Sequence, residues 1–266
     1  WHPPKCHYRN STIQISKHLQ TMNTIPPSAA CDWLVFAAHP DDAELGMGGT
    51  LLKARDRGFD VVLVDWTRGE LGTRGNAETR AAEARAASGL LGLKERLNLD
   101  LGDGYFEGTP ELLHTLVRCI RRFRPRVVWG NAVSDRHPDH GRASSLLGRA
   151  VFLSGLLKVR TDWEGENQEP WATPLLAHYI QDHYHAPSYV TNISEHWQAK
   201  TELLACYASQ FHQEGSREPV TPISRPDFLP FIEARAREMG RLIGAEFGEG
   251  FIMARPLCQR DMPYLL

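Results

Sequence analysis

Two short turns hold most of the residues in this 266-residue chain that could do chemistry. The first is His39-Pro40-Asp41-Asp42-Ala43-Glu44 and the second is Arg136-His137-Pro138-Asp139-His140-Gly141. A hydrolytic zinc centre takes three protein ligands from His and carboxylate and leaves one position open for water. His39 and Asp42 from the first turn, with His140 from the second, supply such a set. Asp41 is then uncommitted, and a carboxylate beside activated water is placed to act as general base. His137 and Asp139 also remain. A His held by an Asp stays oriented, can carry a proton and suits a developing oxyanion. The inventory fits metal-assisted hydrolysis of an amide with no nucleophilic side chain. For either turn alone a plainer reading suffices: an Asp-Asp pair capping a helix, or a His-Pro-Asp-His surface turn. Two such clusters, each at the end of a strand, favour a metal centre.

The elements that must position these turns alternate. Trp33 to Ala38 is an apolar run that reads as a buried strand, and Leu45 to Arg57 has helical spacing that stops at Gly58. Val61 to Val64 reads as a second strand and Ala77 to Leu91 as a helix rich in Ala, Glu and Arg. A strand at Arg96 to Leu101, a helix at Pro110 to Phe123, a strand at Arg126 to Trp129 and a helix from about Arg142 to Leu156 follow. This rhythm predicts an α/β fold, a doubly wound and mainly parallel sheet with helices on both faces. Strands are expected at Leu175 to Asp182 and Tyr189 to Ile193, with Ser194 as N-cap of a helix to about Gln210 and a last long helix from Pro226 to Phe247. In an open parallel sheet the loops at the carboxyl ends of strands form the ligand crevice, so both turns belong to one edge.

Gly46-Met47-Gly48-Gly49, with Asp65 ending the next strand, offers a competing dinucleotide-binding reading. It fails because the spacing is not G-x-G-x-x-G and because Asp41, Asp42 and Glu44 would repel a pyrophosphate. The glycines are better suited to close helix–sheet packing.

Composition sets the outer limits. The formal net charge of −2 and 23% charged residues argue against nucleic acid as the main partner. No apolar run reaches the roughly 20 residues of a membrane helix, and no secretion signal is visible. The five cysteines are scattered without a CxxC, as in free thiols of a reducing compartment, so a cytoplasmic protein is expected. Residues 1–30 are polar and aperiodic and read as an N-terminal extension, with residues 31–266 as the folded domain. The start at Trp1, with Met22 shortly before the first strand, leaves open whether residues 1–21 belong to the native protein. His2, Cys6, His7 and His18 lie in that extension and are set aside as metal ligands.

The pairing of Ala38-His39-Pro40-Asp41-Asp42-Ala43-Glu44 with a downstream His137-Pro138-Asp139-His140 resembles the LmbE-like, or PIG-L, deacetylase family. The likeness extends from about Leu34 to the C-terminal region. It implies a Rossmann-like zinc enzyme that removes N-acetyl groups from glucosamine conjugates, with a small sugar conjugate as its partner and a homo-oligomeric state. By matching position it implies His39, Asp42 and His140 as zinc ligands, Asp41 as base and His137 with Asp139 as a relay that polarises the scissile carbonyl. Arg80 matches an arginine that contacts substrate, against the alternative of an ordinary helix-surface arginine. The run Leu242 to Phe251, preceded by Ser209-Gln210-Phe211, is most similar to the bacillithiol branch, which deacetylates N-acetylglucosaminyl malate. Where some relatives place a tyrosine near the oxyanion, Phe228 stands here and has no hydrogen to donate. Tyr184 or His185 could replace it. With His183 they are candidate pocket walls, against the alternative of an aromatic strand end in the core. The glycine-rich loop Thr67 to Gly75 brings Arg68 and Arg74 to the same edge as candidate partners of a substrate carboxylate such as malate.

Overall fold

The strands at the centre of the molecule are short and buried along almost their whole length, which is why they read as continuous apolar runs rather than alternating ones. In the computed structural model, which describes residues 31–266, they are β1 (Trp33–Ala37), β2 (Val61–Asp65), β3 (Glu95–Asn98), β4 (Val127–Gly130) and, after a small β5–β6 hairpin (Asp162–Trp163 and Glu166–Asn167), β7 (Leu175–Tyr179). The edge strand β3 is the exception, with every residue at least partly open. With β8 (Tyr189–Asn192) and β9 (Gly248–Met253) they complete a seven-stranded sheet in the order β3-β2-β1-β4-β7-β9-β8. The pairs among β3, β2, β1, β4 and β7 are parallel, and β9 runs antiparallel between β7 and β8.

Alternate residues of β1 feed two cores. Trp33, Val35 and Ala37 meet α1 (Asp42–Asp56), α2 (Ala77–Leu91) and α5 (Trp197–Ala205) on one face. Leu34 and Phe36, with Ala38 just past the strand, meet α3 (Pro110–Phe123) and α4 (Pro138–Ser154) on the other. α6 (Phe228–Leu242) adds Ile232 to the first core. The chain steps outward from β1 to β2 to β3, then crosses to β4 on the opposite side of β1. That reversal creates a crevice beyond the carboxyl ends of β1 and β4, where both His/Asp turns lie.

Several boundaries differ from the sequence reading. α1 starts at Asp42 and α4 at Pro138, so each motif turn runs directly into a first helical turn, and His137 is the N-cap of α4. The final helix stops at Leu242, and the segment expected to prolong it instead turns back into β9. Ser194 opens a short 3-10 turn and gives its hydroxyl to Asn192 rather than capping α5.

The glycine run after the first motif serves packing. Helical geometry breaks at Met47, with φ −145°. The N–H groups of Gly49 and Thr50, freed by the break, donate to the two oxygens of the buried Glu249 on β9 at 2.9 and 2.7 Å. Lys200 on α5 reaches the same carboxylate at 2.6 Å and the Leu45 carbonyl at 2.9 Å. A Cβ on Gly49 would stand 2.8 Å from Ile193, so only glycine lets the helix approach there. Asp65, the residue a ribose reading would need, is locked in a two-pronged pair with Arg96 at 2.7 and 2.9 Å.

Candidate metal and hydrolytic site

The β1–α1 turn is bent sharply. Asp41 has φ 112°, a conformation that carries strain in a non-glycine residue and is held only where its surroundings enforce it. The bend leaves the side chain of Asp42 at the base of the crevice, where it joins the two motifs. Its Oδ2 lies 3.3 Å from Nδ1 of His39 and its Oδ1 lies 3.0 Å from Nε2 of His140. Gln181 and Asn131, at the ends of β7 and β4, donate to the same two oxygens at 2.9 and 3.0 Å and fix the carboxylate plane.

Each histidine turns its outer nitrogen to a carboxylate. Nε2 of His39 is 3.1 Å from Asp103 and 3.6 Å from Asp139, while Nδ1 of His140 is 2.5 Å from Asp135. Such partners orient metal-binding imidazoles and raise their basicity. Nitrogen atoms of His39, His137 and His140 lie within 4.8 Å of one another, so the third ring also borders the cluster. The separations of 3.0 and 3.3 Å come close to those of donors sharing one ion at about 2.0–2.2 Å, since a tetrahedron with such bonds has edges of about 3.3–3.6 Å. The donor set therefore fits a zinc-like cation, and three acidic groups stand behind the two histidines.

The electrostatics agree. Burial raises the Asp42 carboxyl, but His140 and His39 outweigh it and hold the group well below the usual carboxylate range. Burial lowers both histidines, yet Asp42 and Asp135 lift His140 to about 9, and Asp103 with Asp139 and Asp42 lifts His39 well above its ordinary value. Protons on these rings balance the acidic groups where a cation would.

Asp41 is buried beside this cluster. Burial lifts its carboxyl to about 7 against the pull of Arg80, whose Nη2 lies 3.2 Å away. Arg80 also donates to the carbonyl of Pro40 and has its guanidinium over the ring of Tyr207. It is 4% exposed, so the surface-arginine alternative does not hold; the side chain lines the cavity from behind the candidate base.

His137 and Asp139 are neighbours, but the expected relay is not formed by their side chains. The carboxylate of Asp139 accepts from Gly104 N–H and from Arg142 at 2.9 and 2.8 Å and faces His39. It is the backbone N–H of Asp139 that donates to Nδ1 of His137, at 3.3 Å. Two residues into α4, the Asp139 side chain is directed toward the loop after β3, away from the N-cap ring. Burial and the charges of His39 and His140 push His137 below its usual value, so the ring is neutral near pH 7 rather than cationic. With Nδ1 accepting, its hydrogen resides on Nε2.

The crevice opens into a cavity of about 420 Å³ lined by both motif turns, the 69–73 loop, Gln181, Asp182, Gln210, residues 220–223 and the α6 residues Phe228, Ile232 and Arg235. Phe228 lines this wall and stacks on Phe211. Other expected residues lie outside it. Arg68 is exposed and pairs with Asp100 at 2.8 Å. Arg74 is buried but bonds Glu218 and Ser216 at 3.0 and 3.2 Å, pinning a distant loop. His185 bonds the Ser134 carbonyl at 2.7 Å, His183 is exposed, and Tyr184 is 60% exposed, so these three neither wall the cavity nor pack in the core. Sequence reasoning missed Asp103, Asp135, Gln181, Asn131 and Arg235. Asp135 immediately precedes the second turn, and Gly102-Asp103-Gly104 follows a strand at the same edge, so both carried a readable signal.

Comparison with known proteins places this geometry among relatives. Residues 34–151 match the family model PIG-L, described as GlcNAc-PI de-N-acetylase. The chain is 29% identical over 229 residues to the diacetylchitobiose deacetylase of Thermococcus kodakarensis, covering 82% of this chain and 80% of that one. It is 26% identical over 222 residues to a probable N-acetyl-alpha-D-glucosaminyl L-malate deacetylase 2 of Bacillus anthracis, covering 73% of this chain and 92% of that one. Among solved structures, a conserved protein of Thermus thermophilus, TT1542, superposes with a TM-score of 0.75 at 37% identity, over 86% of this chain and 96% of that one.

Proposed function

Because this chain belongs to the PIG-L family of de-N-acetylases, we propose that it hydrolyses the acetamide of N-acetylglucosaminyl malate, with zinc held by His39, Asp42 and His140. That it is a hydrolase of N-acetyl amides in glucosamine-type conjugates is the part the relatives carry. The single observation behind the metal assignment is the placing of Asp42, one oxygen facing each histidine at 3.0 and 3.3 Å, with a carboxylate behind each ring. When bound there, such an ion supplies Lewis acidity, lowering the pKa of water to about 7 and polarising a carbonyl oxygen.

The remaining work falls to side chains of this chain. Asp41 takes a proton from the attacking water and later passes it to the sugar nitrogen as the C–N bond breaks, releasing acetate and the free amine. Arg80, at 3.2 Å, holds that carboxylate in place through the proton's arrival and departure. His137 donates its Nε2 hydrogen to the oxyanion as it develops, in the neutral tautomer that Asp139 N–H imposes. Phe228 adds apolar surface at the wall and no donor.

The malate assignment is supported by similarity to the Bacillus anthracis protein along most of that protein's length. A second reading, a chitobiose-type substrate, is favoured by the greater identity to the Thermococcus kodakarensis protein. A cytoplasmic setting and a homo-oligomeric state belong to the same proposal. The deciding experiment is acetate release from the malate, chitobiose and inositol conjugates side by side, with chelator and with zinc added back. Zinc-restored activity greatest on malate supports the full reading. Greater activity on chitobiose or inositol sinks the malate assignment and keeps the deacetylase. Activity that survives thorough chelation overturns the metal assignment.

A further inference from the structure

Three arginines line the cavity, and two are already engaged: Arg80 with Asp41, and Arg136 with Asp182 at 2.5 Å. The third, Arg235 on α6, has no carboxylate within ion-pair distance among the described residues. Its Nη1 is buried without a hydrogen-bond partner. The acidic groups around it are Asp182, Asp135, Glu249 and Glu238. Asp182 is bonded by Arg136, Asp135 by His140 and the His183 N–H, and Glu249 by Lys200, Gly49 and Thr50. Glu238 is exposed. The side chain rests over the ring of Phe231, 5.2 Å from its centroid, and lines both the cavity and a neighbouring void of about 20 Å³.

A guanidinium desolvated in this way needs an acceptor, because a buried charged donor left unmade is costly. Its planar fork matches the paired oxygens of a carboxylate or phosphate better than scattered hydroxyls do. We propose that Arg235 is the specificity-determining residue that reads an anionic group, carboxylate or phosphate, on the part of the substrate beyond the glucosamine ring. This inference rests on the deacetylase reading of the site and adds to it the residue that selects acidic conjugates over neutral ones.

The test compares wild type, Arg235→Gln and Arg235→Lys on N-acetylglucosaminyl malate, on N-acetylglucosamine 1-phosphate and on neutral diacetylchitobiose. Calorimetric titration of L-malate and of inorganic phosphate into the metal-loaded protein runs alongside. Arg235→Gln is expected to raise KM for at least one anionic substrate by about tenfold to a hundredfold, with kcat little changed and chitobiose kinetics within about twofold. The corresponding free anion should bind wild type and not Arg235→Gln, and Arg235→Lys should recover part of both effects. Whether malate or phosphate responds identifies the group. Equal losses on anionic and neutral substrates, or anion binding unchanged in Arg235→Gln, overturns the assignment. If no conjugate is deacetylated by wild type, the deacetylase reading fails by itself, and the titrations still decide Arg235.

Discussion

Oδ2 of Asp135 lies 2.5 Å from Nδ1 of His140, on the side of the imidazole opposite Asp42. Asp135 is itself held, because its other oxygen accepts the His183 N–H at 2.7 Å. The ring is therefore gripped from the side away from Asp42, so Asp135 would orient His140 without being a ligand itself. Asp135→Asn keeps the shape and removes the charge. Metal affinity should fall about 10- to 100-fold, measured by competition with a chromophoric chelator, with deacetylation restored by excess zinc. Unaltered affinity would show that His140 needs no such support.

Asp41 and Asp42 are adjacent, yet the bend at Asp41 separates their work: Asp42 faces the histidines and Asp41 faces Arg80. Asp41→Asn should bind metal at full stoichiometry and lose nearly all turnover, by about 100-fold or more if it is the base. His140→Ala should lose the metal itself. Metal analysis and acetate release on the two variants check both, and an active Asp41→Asn would remove the base assignment.

Much of this was legible in the sequence because it depends on local order. The strands before both turns, and α2 and α3 to the residue, follow from apolar runs and helical composition; the structure adds the caps Asn76 and Thr109, whose side chains accept from Thr79 N–H and Leu112 N–H. That His39, Asp42 and His140 lie together needed only two motifs and the rule that places strand ends on one edge. What stayed hidden depends on distance in space. β9 carries glycine at two of its six positions and follows a helical pattern, so its strand character comes from pairing with β7 and β8 rather than from its own residues. Arg74 reads like a pocket residue until Glu218, 144 positions later, folds onto it. Arg235 is one of several arginines on α6, and no spacing marks it.

Metal binding should release protons. Without a cation, burial lowers His140, but Asp42 and Asp135 raise it to about 9, and His39 is also raised. Raised folded-state values mean that the protonated rings stabilise the metal-free fold fully below their ordinary value of about 6.5. That contribution is lost as pH climbs through about 9. The ion competes for the same nitrogens, so affinity should rise by about one to two decades per pH unit over that window. Zinc titrations in a competing dye at pH 6, 7 and 8 test this, and a flat profile would contradict it.

Arg68 and Arg74 should separate cleanly. Arg68 pairs with Asp100 in solvent, where such contacts contribute little. Arg68→Ala should leave kcat/KM on malate and chitobiose conjugates alike unchanged. Arg74 is 4% exposed and binds Ser216 and Glu218 in the segment that leads to the cavity wall at residues 220–223. Arg74→Ala should weaken all substrates equally and raise protease cleavage near residues 214–218. A selective loss on malate in either variant would return these arginines to the substrate.

Gly49 tests whether the broken first helix is a requirement of packing. Alanine is the better helix former by about 1 kcal/mol, and φ at this position does not demand glycine. Propensity alone therefore predicts that Gly49→Ala stabilises. Packing predicts the reverse, since the new Cβ would meet Ile193 Cδ1 and Cβ at 2.8 and 2.9 Å, and Ile193 is fully buried. Cβ cannot swing aside as a side-chain tip could, so α1 would have to back away and stretch the Gly49 and Thr50 bonds to Glu249. Overpacking of this kind costs about 1–3 kcal/mol, and it should outweigh the propensity gain. A lower Tm together with weakened metal binding is the expected pair of results, because the same helix carries Asp42 in its first turn. A raised Tm would show that β8 and the chain after it yield more readily than the turn that carries Asp42.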